Sequence, residues 1–399
     1  MLDIKRRFDG KRILIWGYGR EGKSTESFLK KHCSPEKVDI FEGKRDEFDE
    51  EAYDLIFKSP GIVMLEDNAR FTSQTEIFLE CFRDRTIGIT GTKGKSTTSA
   101  MLAKALSDCT GRNVILLGNI GLPCLDRFDD IDSDSIVVFE MSCHQLVNTK
   151  VSPHIAVFLN LYEEHLDYYG TMEAYFSAKK NIALHQREGD RLYIGDNVPA
   201  VETKASVTVI NTDEVGNYEL KIPGEHNYIN AEVVLRIARD VFGADEAGIR
   251  SSMAQFEGLP HRLQYIGEKN GIRFYDDSIS TIPHAAIAAL TALPDTDTVL
   301  IGGMDRGIDY EELTDYIKAH RGVKYIFSYE AGRRIYDEVS SYPDCYYTED
   351  LEGAVKLARE ITEPGKICLL SPAAASYGHF KNFEHRGEMF KEYALGDNE

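Results

Sequence analysis

Thr86-Ile-Gly-Ile-Thr-Gly-Thr-Lys-Gly-Lys-Ser-Thr-Thr98 decides how the rest of this chain is read. The β-branched run carrying Ile87 and Ile89 reads as a strand, Gly91 to Thr97 as a turn, and Ser99 to Leu106 as a helix. Strand, glycine-rich turn and helix together aim backbone N–H groups and a helix N-terminus at a phosphate chain. A Cβ would block that close approach, so Gly91 and Gly94 are what such a turn needs on either side of Thr92 and Lys93. Lys95 would reach the β- and γ-phosphates, and the hydroxyl of Ser96 or Thr97 would bind Mg²⁺. The strict G-x-x-x-x-G-K-[ST] pattern is not met, because Ile89 stands five residues before Gly94. A plainer reading stays open beside it: a strand-to-helix turn carrying a surface lysine.

The surrounding composition narrows the class. A chain of 399 residues holds two or three domains, each with its own core. Hydrophobic content of 42% is that of a globular protein. No apolar run approaches the roughly 18 residues of a membrane span, so no membrane association is expected. The charged start, Met-Leu-Asp-Ile-Lys-Arg-Arg-Phe, lacks a signal-peptide core. Seven cysteines without a C-x-x-C pair point to reduced thiols in a cytoplasmic protein. A formal net charge of −20 speaks against nucleic acid as a partner. It also requires that anionic substrates be held by local positive groups, against the overall field.

Before the central loop, the same grammar occurs on a smaller scale. Arg12 to Trp16 reads as a strand, Gly17-Tyr-Gly-Arg-Glu-Gly22 as a turn and Ser24 to Lys30 as a helix. Gly17, Gly19 and Gly22 have dinucleotide-fingerprint spacing, and a second strand, Val38 to Phe41, ends at the acidic Glu42. Tight strand–helix packing explains such a turn as well as nucleotide binding does. Leu55 to Gly61 is a further strand running into a turn at Ser59. Behind Arg85 the pattern restarts, which sets a domain boundary near residue 84.

Strands are expected at 113–117, 135–139 and 155–159, alternating with helices, as in a parallel sheet covered on both faces. They end in Gly118-Asn119, Glu140-Met-Ser142 and Asn160 onward to His165 and Asp167. Ligands of open α/β sheets sit beyond the carboxyl ends of strands, so these residues should gather at the loop. Glu140 there suits Mg²⁺, which takes one or two carboxylates plus phosphate oxygens. Thr171 is a candidate N-cap for a helix carrying Lys179 and Lys180, lysines that propensity alone would leave in solvent. A linker signal at Phe256 to Arg262 precedes a third alternation, expected to form another parallel sheet. The fold class is therefore α/β in three domains, at 1–84, 85–259 and 260–399.

The ordered motifs resemble the Mur ligases, ATP-dependent amide-forming enzymes of peptidoglycan precursor synthesis. Ser59-Pro-Gly61, Thr90 to Thr97, Gly118-Asn-Ile-Gly121, Glu140-Met-Ser142, Glu164-His165 and Ala178-Lys179 carry the resemblance in the first half. His226 to Asn230, Leu259-Pro-His-Arg262, Asp277-Ser278, Gly302-Gly303, Ser371-Pro372 and Phe380 to Phe383 carry it in the second. It implies an N-terminal Rossmann-like domain for the UDP substrate, a central P-loop ATPase domain and a C-terminal Rossmann-like amino-acid domain. It further implies a monomer whose substrates are UDP-N-acetylmuramoyl-L-alanine and glutamate. The substrate carboxylate would take the γ-phosphate of ATP, and the incoming amine would displace phosphate from the acyl phosphate.

Residue by residue, the resemblance makes Lys95, His165 and Lys179 catalytic. It assigns two Mg²⁺ ions to Ser96, Glu140, Ser142, His165 and a Lys179 carbamylated by CO₂. Asn227 and Asn230 match adenine contacts, and Arg262 and Asp277 match contacts to the ATP phosphate and ribose. Gly17, Gly19, Gly22, Glu42, Ser59 and Asn119 fall to the UDP substrate, and Thr281, Arg306, Ser376 and Phe383 to the amino acid. Ile279, Gly378, His379 and Glu164 depart from the family pattern, mostly around the amino-acid pocket. D-glutamate is the expected amino acid, with L-glutamate the alternative. Rival readings are a folylpolyglutamate synthase-like ligase and a P-loop switch protein. The first is opposed by the Gly17–Gly22 domain, the second by the lack of an Asn-Lys-x-Asp motif.

Overall fold

Three times along the chain, apolar β-branched runs alternate with amphipathic segments, and each time a separate sheet results. The computed structural model describes residues 4–64, 66, 69–118, 122–224 and 226–396. The first sheet has the order β2-β1-β3-β4, from β1 (Arg12–Trp16), β2 (Lys37–Phe41), β3 (Leu55–Lys58) and β4 (Phe71–Thr72). The second runs β10-β9-β8-β5-β7-β6, built of β5 (Thr86–Thr90), β6 (Val114–Gly118), β7 (Ile136–Glu140), β8 (Ile155–Phe158), β9 (Arg191–Gly195) and β10 (Ser206–Ile210). All pairs in these two sheets are parallel.

The third sheet has the order β11-β12-β16-β13-β14-β15. Its strands are β11 (Gln264–Lys269), β12 (Ile272–Asp276), β13 (Thr296–Gly302), β14 (Lys324–Ser328), β15 (Cys345–Tyr347) and β16 (Ile367–Leu370). The expectation of a wholly parallel third sheet needs correction at its edge, where β11 pairs antiparallel with β12. The two are joined only through Asn270 and Gly271, both at positive φ, and so short a connection permits only a hairpin.

The chain divides into two compact units, Met1–Glu219 with His226–Ala254, and Leu220–Glu225 with Gln255–Glu399. In the first unit one continuous apolar core, beside smaller clusters, reaches from Phe8, Ile13 and Phe57 under the first sheet to Val137, Phe139 and Phe158 in the second. The helix Gln74–Phe82 lies in that core with nearly every residue buried, as expected of a helix apolar on most of its circumference. Phe78 meets Phe139 edge-on at 5.4 Å. In the second unit, alternate residues of the same strands feed two cores. Val299, Ile301 and Phe327 point to one face, Leu300, Ile326 and Leu370 to the other.

Among the described residues no helix is long and apolar enough to cross a membrane. All seven cysteines are free thiols.

Candidate nucleotide and ligase site

Beyond the carboxyl end of β5 the chain turns through Gly91 (φ 157°) and Gly94 (φ 83°) into the helix Lys95–Thr110. Gly94 is the helix N-cap in the left-handed region. A Cβ there would lie 2.7 Å from Asn230 Oδ1, so position 94 requires glycine for its backbone angle and for space. Strand β5 is flanked by β7 on one side and β8 on the other. The ends of those neighbours bring Glu140 and Asn160 beside the turn, at the switch point where α/β sheets take ligands. Asn160 Oδ1 accepts the backbone N–H groups of Thr92 (3.1 Å) and Lys93 (2.9 Å).

Two lysines converge on this turn. Lys95 Nζ donates to the carbonyls of Gly91 (2.8 Å) and Thr92 (2.9 Å). Lys179 Nζ, from the helix Met172–Leu184, donates to the same Gly91 carbonyl at 2.7 Å. Thr171 caps that helix by accepting the N–H of Ala174, as its sequence implies. Lys179 is 1% exposed. Burial first, then the neighbouring Lys95 charge, lowers its pKa to about 7. Burial also lowers the pKa of Lys95, opposed by the carboxylates of Glu140 and Glu164. Thr92 Oγ1 lies 3.2 Å from the Tyr175 hydroxyl, which fixes the turn against the Lys179 helix.

Glu140 is fully buried at the end of β7. Ser142 caps the short helix Cys143–Leu146, and its hydroxyl is engaged with Gln145 in a capping box. His165 is at φ 57° and presents its ring to His144 (5.0 Å) and Tyr175 (6.0 Å). Asn230 is buried, donates to Asn227 Oδ1 at 2.9 Å and accepts from Thr98 Oγ1 at 3.0 Å. Among the described residues no three His, Cys, Asp or Glu side chains cluster tightly enough to hold a metal by themselves. The first unit thus brings together Gly91 to Thr97, Glu140, Lys179 and the asparagine pair.

At the first sheet, Ser59 Oγ donates to the Gly17 carbonyl at 2.7 Å, and a Cβ on Gly22 would stand 2.3 Å from that same carbonyl. Gly19 caps the helix Arg20–His32 with open space around it. Glu42 is exposed just past β2. Asn119 lies outside the described residues. A cleft of about 380 Å³ opens here, lined by Arg20, Glu21, Gly61, Ser142, Gln145 and Tyr168 among others. Glu21 and Gln145 went unnoticed in the sequence, yet Gln145 Nε2 donates to Glu21 Oε1 at 2.9 Å across the cleft wall. Lys58, likewise unnoticed, is buried, and burial takes its pKa down to about 8 against the pull of Glu21.

In the second unit, Asp277 is buried and its carboxylate accepts from Ser280, Ser371 (2.9 Å) and the Leu263 N–H (3.2 Å). Burial raises its pKa to about 6, with those bonds opposing. Arg262 and Arg306 are exposed, and Arg306 donates to the Thr281 carbonyl at 3.0 Å. Ser376 is buried, and the Phe383 carbonyl accepts from Ser278 Oγ at 2.8 Å. His379 bonds Glu330 Oε2 at 2.7 Å and stacks on Tyr329, while Gly378 turns at φ 89°.

Residues 89–199 match the Mur ligase middle domain, and residues 261–374 match the Mur ligase glutamate ligase domain. The UDP-N-acetylmuramoyl-L-alanine–L-glutamate ligase of Salinispora tropica is 32% identical over 96% of this chain and 97% of its own. The chain belongs to the Mur ligase family. The UDP-N-acetylmuramoylalanine–D-glutamate ligase of Geobacillus kaustophilus is 34% identical over 86% of this chain and 83% of its own. The MurF ligase of Thermotoga maritima, solved in complex with ADP, shares the fold with a TM-score of 0.60 and 17% identity, covering 98% of this chain and 96% of that one.

As a Mur ligase the protein is an ATP-dependent amide-forming enzyme, and its glycine-rich loop lies within the matched middle domain. The glycine geometry at 91 and 94 and the Lys95 ammonium group suit a polyphosphate. Because no cluster of metal-binding side chains stands ready among the described residues, a Mg²⁺ ion fits here best as one that also takes phosphate oxygens.

Proposed function

We propose that this Mur ligase adds D-glutamate to UDP-N-acetylmuramoyl-L-alanine in peptidoglycan precursor synthesis. The observation that carries the reading is the set of relatives named for that reaction, matched over 86% to 98% of this chain. A second reading, addition of L-glutamate, is favoured by the Salinispora tropica relative, which is covered almost end to end.

Residues 1–84 would hold the UDP substrate through Gly17, Gly19, Gly22, Glu42, Ser59 and Asn119. Residues 85–259 would hold ATP, and residues 260–399 the amino acid. The first chemical step joins two anions, a substrate carboxylate and a γ-phosphoryl group. It therefore needs positive charge and positioning more than an acid or base. Lys95 supplies the charge once it leaves the Gly91 and Thr92 carbonyls for the phosphates. Gly91, Thr92, Gly94, Ser96 and Thr97 cradle the phosphates, and Asn227 and Asn230 hold the adenine. Arg262 and Asp277 serve the phosphate and ribose. Magnesium would neutralise the phosphates, held by Ser96, Glu140, Ser142, His165 and a carbamylated Lys179.

Chemistry available to this side chain supports the carbamate. A buried amine with a pKa near 7 is substantially neutral at neutral pH. Its lone pair attacks the carbon of CO₂, an N–H proton leaves to solvent, and an N-carboxylate replaces an ammonium beside Lys95. Thr281, Arg306, Ser376 and Phe383 would bind the carboxylates of glutamate. Arg can hold one of them bidentately.

The test is phosphate release from ATP with UDP-N-acetylmuramoyl-L-alanine and a panel of D- and L-amino acids. The expected outcome is turnover with D-glutamate far above the rest. A clear preference for L-glutamate selects the second reading, and activity only with a non-acidic amino acid ends both.

A further inference from the structure

Lys93, in the middle of the nucleotide loop, has no part in the reaction described so far, nor has Glu164, which stands where the family pattern has Asp. The two are joined. Lys93 Nζ lies 2.7 Å from Glu164 Oε1, and Glu164 Oε2 lies 3.8 Å from His165 Nε2. Glu164 also lies close enough to Lys95 for its charge to act there. Glu164 is thus a carboxylate held by an ion pair beside the loop that carries Lys93 and Lys95.

Exposure decides whether this pair can open. The Lys93 side chain is 59% exposed and that of Glu164 30%, so exchanging partners costs little desolvation. Asn160 tethers the base of the same segment to the loop backbone, so Glu164 stays near the phosphates' place after Lys93 leaves it.

We propose that Glu164 makes nucleotide binding depend on the accompanying divalent cation. This rests on the ATP-loop reading. Without a cation the carboxylate competes with the phosphates for Lys93 and repels them from Lys95. With a cation on the phosphates the charge facing Glu164 falls, and the carboxylate no longer opposes binding.

The experiment is calorimetric titration of the full chain with ATP, once in EDTA and once in excess Mg²⁺. Glu164→Gln should tighten metal-free ATP binding about tenfold, the scale of one like charge removed at close range in a partly screened site. MgATP affinity should change less than about twofold, so that the gap between the two affinities narrows about tenfold. Glu164→Asp keeps the charge and should stay near wild type in both titrations. Glu164→Ala carries the same expectation as Gln should Gln impair folding, which thermal unfolding checks. Metal-free affinity that is unchanged or weaker in the charge-removing variants overturns the proposal. So does a marked loss of MgATP affinity, which would make Glu164 a ligand of the cation. A wild-type chain that binds nucleotide under neither condition overturns the loop reading itself.

Discussion

At the scale of single residues, the feature that governs the site is the meeting of Lys95 and Lys179 at the Gly91 carbonyl. Lys179, 1% exposed, loses its hydration and is also repelled by the Lys95 charge, so it gives up its proton more easily. That makes Lys179 the better nucleophile toward CO₂. Lys179→Ala should lower turnover by about 100-fold or more, as expected when a charge at a phosphoryl-transfer centre is removed. Added acetate or a similar short acid should restore part of the activity by supplying the missing carboxylate, which a merely structural lysine would not allow. Activity intact in the variant, or a complete lack of rescue in a folded protein, counts against the carbamate. Hydropathy assigns a lysine to solvent, so the burial of Lys179 was legible only through the resemblance. The bond between Gln145 and Glu21 was not legible at all, because it joins residues 124 apart whose spacing carries no local signal.

Among the elements, the strand–turn–helix at 86–110 was legible because each part has a distinct local cause. Ile87 and Ile89 favour the strand, glycine alone suits the turn, and good helix formers such as Ala103 and Leu106 propagate the helix. The hairpin edge β11 was missed because Gln264–Lys269 alternates weakly and its partner follows at once. The two ends of the helix Lys95–Thr110 give a controlled comparison. Gly94 and Gly111 both sit in the left-handed region. A Cβ at 94 meets Asn230, whereas one at 111 meets nothing within 4 Å. Gly111→Ala should cost about 1 kcal/mol, the left-handed penalty alone, with nucleotide binding unchanged. Gly94→Ala should cost more, about 2–3 kcal/mol, because the same penalty is joined by displacement of a buried, bonded asparagine. Nucleotide affinity should fall with it. Urea midpoints and nucleotide titrations on the two variants check this, and equal behaviour of the pair would remove Asn230 from the account of Gly94.

For the whole molecule, the decisive quantity is charge. The chain carries a formal −20, yet the substrates proposed for it are anions, and the group proposed to meet the ATP phosphates is Lys95 on one loop. Attraction therefore acts only at short range, while the long-range field repels. Salt separates the two, since the screening length falls from about 30 Å at 0.01 M to about 10 Å at 0.1 M. Over that interval the distant repulsion is screened away and the contacts inside the loop much less. The association rate of ATP should therefore rise with ionic strength, the reverse of what an attractive steering field produces. The dissociation rate should rise too, but less steeply, because the ammonium–phosphate pairs are partly shielded from solvent. Stopped-flow binding of a fluorescent ATP analogue in excess Mg²⁺, between 0.01 and 0.1 M potassium chloride, measures both rates. An association rate that falls across the series would mean that the positive groups around Lys95 command the approach as well as the contact.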